Sequence, residues 1–244
     1  MIIVLNGEGP TDLGECNNSN GFCQDESFDH GPMTLLVDQI AESVLKYSLL
    51  ETPGSYRYFN RKYISVWSKA NQPRLRPTRG KYSPAELGIY RVSAFVLAEI
   101  ARNLSVEEGR PTAAVLFRDA DGTNTSARSH WIEKYRAIND GFKLAHYPNG
   151  VAMLPMPKSE AWLICAARKP IHEDCHKLET LPGNDAAPRS AKFIFEEIRG
   201  QADSAQSICE WLASNDVKHH EACNMPSYLA FRDDMIKVFK NMRT

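Results

Sequence analysis

The sequence predicts an α/β fold built around a largely parallel sheet. Short apolar runs that contain β-branched residues alternate along the chain with longer segments whose apolar residues recur at helical spacing. No internal repeat or low-complexity tract interrupts this alternation. Strands that alternate with helices are typical of a parallel sheet covered by helices.

Three apolar runs are predicted to be strands of this sheet. The run closest to the start of the chain ends at a Gly-Glu-Gly-Pro turn and is expected to be central. A further run, Tyr63–Trp67, has the composition of a strand. The three main predicted strands are residues 2–6, 112–117 and 150–156.

The predicted helices begin with Met33–Leu50, after a polar segment, residues 14–32, that is expected to be an exposed loop. Ser83, Pro84 and Glu86 have the order of a capping box, which predicts a helix that continues to about Leu104. Ser159 is the candidate N-cap of a later helix. The remaining predicted helices are residues 126–140, 189–199, 205–214 and 227–242.

The length of the chain is that of one globular domain with insertions or a small appendage, and its net charge is close to zero. The chain has 244 residues and a formal net charge of -1, so nucleic-acid binding would require a local concentration of basic residues. We expect a main domain at 1–168, with insertions at 14–32 and 51–82, and a helical extension at 169–244 packed on it. No signal-peptide pattern or membrane span is recognised, so a cytoplasmic protein with reduced cysteines is expected.

Carboxylates follow each of the three main predicted strands. Glu8 follows the first, Asp119 and Asp121 follow the second, and Glu160 follows the third. Since the carboxyl ends of parallel strands meet at one edge of a sheet, these acids are expected to converge. Clustered carboxylates repel one another unless a cation or protons offset their charge, and oxygen ligands suit Mg²⁺ or Mn²⁺. Taken singly, each acid also fits a turn or the first turn of a helix.

The order of these motifs resembles a known family. Residues 2–12, in which a strand ends at Glu8, and residues 115–122, in which a strand ends at Asp119 and Asp121, resemble the Toprim domain. Residues 156–162 and 225–232 are similar to a set of stand-alone Toprim proteins related to the OLD nucleases. Those proteins often accompany an ABC-type ATPase in bacterial anti-phage systems.

The resemblance implies a Toprim-like sheet and a Mg²⁺- or Mn²⁺-dependent nuclease with a nucleic-acid substrate and an ABC-type ATPase partner. It leaves open whether the chain forms a homo-oligomer. It also implies the following roles: Glu8 as metal ligand or general acid-base, Asp119 and Asp121 as metal ligands, Asp12 as a second acid, Glu160 as a later metal ligand, and Lys158 as a neighbour of the scissile phosphate. The 14–32 insertion separates Asp12 from the helix that would normally begin beside it.

The segment 51–82 combines basic and aromatic residues and is not part of the Toprim pattern. Basic side chains bind phosphates and aromatic rings stack on bases, so this segment predicts a nucleic-acid-binding element. Two other interpretations remain open: aromatic core residues of a hairpin with a solvated basic face, or a surface for a partner protein. Its basic residues are Arg57, Arg61, Lys62, Lys69, Arg74, Arg76, Arg79 and Lys81.

Two further functions stay open at this stage. Asp119–Thr123 also matches the opening motif of haloacid-dehalogenase-like phosphatases, in which the first aspartate is a nucleophile. A Toprim fold that serves only as a binding module is the other alternative. The cysteine and histidine residues lack the spacing of a structural zinc site.

Overall fold

The computed structural model describes residues 1–71, 85–120, 127–168, 173–200, 204–214 and 223–243. Within these residues the chain is a mixed α/β fold. Its strands are β1 (Ile2–Asn6), β2 (Gly14–Cys16), β3 (Phe22–Gln24), β4 (Phe28–His30), β5 (Tyr56–Phe59), β6 (Thr112–Phe117) and β7 (Gly150–Met153). Its α-helices are α1 (Pro32–Leu45), α2 (Arg61–Ala70), α3 (Ala85–Glu108), α4 (Ala127–Leu144), α5 (Ser159–Ala167), α6 (Ala191–Arg199), α7 (Ala205–Ser214) and α8 (Pro226–Met242).

Five of the strands form the central sheet, in the order β3-β5-β1-β6-β7. β1 pairs in parallel with both β5 and β6, and β6 pairs in parallel with β7. Only the edge pair of this sheet, β3 with β5, is antiparallel. The predictions of a mostly parallel sheet and of a central first strand are therefore confirmed. β2 and β4 form a separate antiparallel pair.

Alternate residues of the central strands face two hydrophobic cores. Ile3 and Leu5 of β1 pack in the core that contains residues of α1 and α5–α8, whereas Ile2 and Val4 pack in the core that contains residues of α2–α4. This alternation follows from the pleat of a strand, which sends successive side chains to opposite faces. Because α8 contributes several residues to the first core, including Tyr228 and Phe231, the C-terminal helix is integral to the folded body.

The prediction of a strand at Tyr63–Trp67 is wrong, because these residues lie in α2. Asn60 is the N-cap of this helix, and its side chain accepts a hydrogen bond from the Tyr63 amide at 2.9 Å. Tyr63, Ile64 and Trp67 have helical spacing and pack on the same core. Their aromatic and β-branched composition therefore indicated the wrong element.

The segments 14–32 and 51–82 both contribute to the central sheet. The first, predicted to be an exposed loop, contains β2, β3 and β4, and that prediction is corrected. The second provides β5, in which all four residues, Tyr56–Phe59, are buried. The basic loop at 71–79 and the capping box at 83–86 lie largely or wholly outside the described residues.

The cysteines also differ from expectation. Cys16 is bonded to Cys23, and Cys165 is bonded to Cys175, with Cα atoms 5.5 and 5.3 Å apart. The prediction of reduced thiols is wrong for these four residues, because folding places β2 beside β3 and α5 beside the 3-10 turn Cys175–Thr180. Disulfides are typical of oxidising compartments, so the cysteines do not favour a cytoplasmic location.

Within the described ranges, no helix has both the length and the apolar character needed to cross a bilayer.

Candidate functional site

Ser159, at the start of α5, joins two acids that are far apart in sequence. Its hydroxyl donates a hydrogen bond to Asp12 Oδ1 at 2.8 Å, and its backbone amide donates to Asp119 Oδ1 at 3.1 Å. The same hydroxyl lies 3.5 Å from Glu160 Oε2. Three carboxylates from three different segments therefore meet around one residue.

The start of α1 fixes the backbone of Asp12. The amide of Met33 donates to the Asp12 carbonyl, and the amide of Gly31 donates to the Leu13 carbonyl, each at 2.9 Å. Gly31 is needed there, since a Cβ atom at this position would lie 2.2 Å from the Asp12 carbonyl oxygen. The 14–32 insertion therefore returns to its starting point, and α1 begins beside Asp12 although 19 residues intervene between Asp12 and Pro32.

Glu8 forms a long ion pair with Arg118, and its charge also affects Asp12. Arg118 Nε lies 3.8 Å from Glu8 Oε1, and its guanidinium also donates to Asn6 Oδ1 at 2.7 Å. Asn6 in turn donates to the Phe59 carbonyl at 2.6 Å. Arg118 is almost fully buried, and burial lowers its pKa to about 10, which still leaves it protonated at neutral pH. It ties the ends of β5, β1 and β6 together below Glu8.

Glu160 and Asp12 line a cleft of about 90 Å³ between α5, the start of α1, and helices α6 and α7. Lys192 of α6 lines the same cleft, as do apolar residues of α5 and α7. Burial raises the pKa of Glu160, and the neighbouring positive charges of Lys158 and Lys192 oppose that effect. We define the acidic site as Glu8, Asp12, Asp119 and Glu160.

The carboxyl groups of the acidic site affect one another. The pKa of Asp12 is raised from 3.8 to about 6, mainly by burial and further by the negative charges of Glu160 and Glu8, while the Ser159 hydrogen bond opposes the change. A cation would offset this repulsion, and carboxylate and hydroxyl oxygens are the ligands that Mg²⁺ and Mn²⁺ prefer. The donor types thus suit a hard divalent ion. Over the described part of the chain, however, no three His, Cys, Asp or Glu side chains are arranged as a metal-binding group.

Lys158, predicted to lie beside the scissile phosphate, has a partner within the protein. Its ammonium group forms an ion pair with Asp185 Oδ1 at 2.9 Å, and the residue is the N-cap of α5. The prediction that Ser159 is the cap is therefore wrong, because Ser159 is the first helical residue and its hydroxyl is directed to Asp12. Lys158 remains close enough to Glu160 to lower the pKa of that carboxyl.

The structure separates the predicted nucleic-acid-binding residues into three groups. Arg57 is buried and paired with Glu108 at 3.0 Å, so its guanidinium already has a partner within the protein. Arg61, Lys62 and Lys69 are exposed on α2, and the charge of Arg61 is close enough to affect Arg118. The other four, Arg74, Arg76, Arg79 and Lys81, lie outside the described residues, as does Asp121.

Sequence reasoning missed the contributions of Ser159, Arg118 and Lys192 to the site. The sequence does contain a sign that Arg118 belongs to the site, because it is a charged residue between an apolar strand and Asp119. The position of Ser159 before an apolar run predicts only a helix cap. Nothing in the spacing of Lys192 connects it with the strand ends, because the tertiary packing of α6 brings it to the cleft.

The chain was compared with family models, with curated proteins and with solved structures, and none of these comparisons finds a match.

Proposed function

We propose that this chain is a nuclease that cleaves phosphodiester bonds with Mg²⁺ or Mn²⁺. The observation that carries the proposal is the convergence of Asp12, Asp119 and Glu160 around Ser159. Carboxylates brought together from several strand ends, at the edge of a mostly parallel sheet, are suited to hold a divalent ion at a phosphate.

The residues at and around the acidic site would have different roles in the reaction. Glu8, Asp12, Asp119 and Glu160 would hold the ion, with Asp121 as the further ligand that the sequence motif implies. A bound divalent ion would activate water and offset the charge that develops on the phosphate. Arg118 keeps Glu8 in place, and Lys192 presents a positive charge at the rim of the cleft, where a phosphate would bind.

The exposed basic face of α2 supports nucleic acid as the substrate. Arg61, Lys62 and Lys69 are exposed there, and the helix begins directly after β5, whose end is tied to Arg118 through Asn6. A strand of nucleic acid gripped by these side chains would pass close to the acidic site. Relationship to the Toprim family, an ABC-type ATPase partner and an anti-phage role complete the proposal, and they rest on the motif resemblance. The same resemblance implies a cytoplasmic location, against which the two disulfides count.

A cleavage assay with matched variants tests the proposal. Purified protein is incubated with plasmid DNA, single-stranded DNA and RNA in the presence of Mg²⁺ or Mn²⁺. Glu8→Gln and Asp119→Asn are expected to abolish cleavage. The matched controls Glu42→Gln and Asp140→Asn, at exposed acids on α1 and α4, should retain it. Equal activity of wild type and both site variants would refute the proposal.

Three further measurements separate the alternatives if the isolated chain shows no cleavage. Calorimetric titration with Mn²⁺ should show a site that is lost in Asp119→Asn and retained in Asp140→Asn. Absence of that site would count against the nuclease. A phosphate covalently trapped on Asp119 would instead support a phosphohydrolase. Activity that appears only after co-purification with an ATPase would support the partner.

A further inference from the structure

An exposed phenylalanine lies at the same edge of the sheet as the acidic site. Phe22 begins β3 and pairs with Phe59, the last residue of β5. β5 is the parallel neighbour of β1, and the Phe59 carbonyl accepts the hydrogen bond of the Asn6 side chain. Phe22 is therefore two strands, or about 10 Å, from the end of β1, and Glu8 follows that end by two residues.

The ring of Phe22 is exposed although the backbone on both sides of it is fixed. The residue is 45% exposed. The next residue, Cys23, is bonded to Cys16. The carbonyl of the preceding residue, Gly21, accepts a hydrogen bond from the Asn60 amide at 2.9 Å. A ring that is held in this way loses little conformational entropy when a ligand stacks on it.

The first turn of α2 connects this ring with the acidic site. The Phe22 ring makes a T-shaped contact with Tyr63, with 5.8 Å between the ring centroids. Arg61, two residues before Tyr63, is near Arg118, because burial and then the charge of Arg61 lower the pKa of that guanidinium. Arg118 in turn lies 3.8 Å from Glu8. A ligand that crosses this turn would therefore reach from Phe22 to the acidic site.

The surface around Phe22 combines apolar and basic side chains. Val66, which follows Tyr63 by three residues on α2, is 60% exposed, so the exposed ring is not an isolated apolar group. Neither α2 nor the segment 16–24 contains an aspartate or a glutamate. We define the Phe22 surface as Phe22, Tyr63 and Val66 with the exposed basic residues Arg61, Lys62 and Lys69.

A nucleic acid with unpaired bases complements both parts of this surface. Its phosphates bind lysine and arginine, and the free face of a base stacks on an aromatic ring. In a duplex the neighbouring base pairs cover the base faces, so an exposed ring reaches only an unstacked base. We propose that the Phe22 surface binds a single strand with one base stacked on Phe22, so that the acidic site cleaves unpaired segments. This inference rests on the proposed nuclease and names its substrate class.

Fluorescence anisotropy with labelled oligonucleotides tests the inference in EDTA, which prevents cleavage. The probes are single-stranded DNA, single-stranded RNA of the same sequence and the corresponding DNA duplex. Phe22→Ala and Phe22→Leu, which both remove the ring, should weaken binding of the single strands about tenfold and binding of the duplex less than about twofold. Phe22→Trp keeps a flat ring and should retain the wild-type affinity.

Tyr47→Ala is the matched control, because it removes a ring of similar exposure, 49%, elsewhere. Tyr47 follows the end of α1 by two residues, whereas the start of this 14-residue helix lies beside Asp12. This variant should bind all three probes with the wild-type affinity.

The salt dependence of binding separates stacking from phosphate contacts. Phe22→Ala removes no charge, so its slope of log affinity against log salt concentration should equal that of wild type. Lys62→Gln/Lys69→Gln should reduce the magnitude of this slope for single strands by about 1.4, because two phosphate contacts are lost.

Unchanged single-strand affinity in Phe22→Ala would overturn the inference, as would an equal loss for the single strands and the duplex or a comparable loss in Tyr47→Ala. Weakening for only one of the two single strands would support the inference for that sugar. A wild type that binds none of the probes would also overturn it. The nuclease proposal is decided separately, because cleavage that depends on Glu8 and Asp119 can persist when Phe22→Ala changes nothing.

Discussion

The raised pKa of Asp12 provides a quantitative test of the acidic site that does not depend on turnover. Its carboxyl titrates at about 6 in the folded chain and near 3.8 when exposed. Since one pKa unit corresponds to about 1.4 kcal/mol, ionised Asp12 destabilises the metal-free fold by about 3 kcal/mol. Asp12→Asn should therefore raise the free energy of unfolding, since the amide oxygen can still accept the Ser159 hydrogen bond.

The sign of the pH dependence follows from the direction of the pKa change. Between about pH 4 and pH 6 the folded state binds more protons than the unfolded state, so wild type loses stability as the pH rises. The gain from Asp12→Asn should be below about 1 kcal/mol near pH 4 and reach about 3 kcal/mol above about pH 7. At the higher pH, Mn²⁺ should stabilise wild type more than the variant, because the ion binds the ionised carboxylate.

Urea unfolding with EDTA or Mn²⁺, followed by tryptophan fluorescence, measures these differences. Asp140→Asn is the matched control, because it makes the same chemical change at an exposed residue of α4. If Asp12→Asn left stability unchanged or lowered it at neutral pH in EDTA, the reasoning would be refuted. The carboxyl would then lie in an environment that favours its ionised form.

Three other changes test the surroundings of the site. Arg118→Met should lower the free energy of unfolding by about 2 kcal/mol, because Asn6 loses its buried donor; urea unfolding measures the change. Replacing Cys165 and Cys175 together by alanine should lower it by about 3 kcal/mol, as expected for a short disulfide loop; urea midpoints are compared after mass spectrometry has verified the bond. Lys192→Ala should raise the KM of nucleic-acid cleavage about fivefold with unchanged stability, whereas Lys240→Ala on α8 should not.

Each of these expectations has an outcome that would contradict it. Unchanged stability in the arginine variant would mean that the buried guanidinium is not required to join the strand ends. If the mass of the wild-type protein equalled that of the fully reduced chain, the disulfide would not have formed. An equal rise of KM in both lysine variants would indicate general electrostatic attraction instead of a contact at the cleft.

The central fold could be predicted from the sequence because its signals are local. β1, β6 and β7 are apolar runs, and α1 and α4 have amphipathic periodicity, whereas α5 is buried along almost its whole length and was recognised by its apolar composition. β5 was missed because Arg57 interrupts its aromatic residues, and only the pairing with Glu108 makes that arginine compatible with a buried strand. Composition alone assigned the strand to Tyr63–Trp67, where the spacing of the large side chains is helical.

The acidic site was predictable to the extent that it depends on strand ends. Glu8, Asp119 and Glu160 follow strands, and the topology brings parallel strand ends to one edge. The link through Ser159 and the approach of Lys192 depend on side-chain direction and on the packing of distant helices. The disulfides depend in the same way on contacts between elements, which residue spacing does not encode.

The position of β1 in the sheet has a consequence for how the chain acquires its structure. Both neighbours of this strand are encoded later, β5 about fifty residues and β6 about one hundred and ten residues downstream. Residues 112–117 must therefore emerge from the ribosome before the apolar Ile2–Leu5 run can pair with a neighbouring strand on both sides. Until then that run is available to chaperones and to other nascent chains, so we expect yield to depend strongly on the speed of synthesis and on temperature during expression.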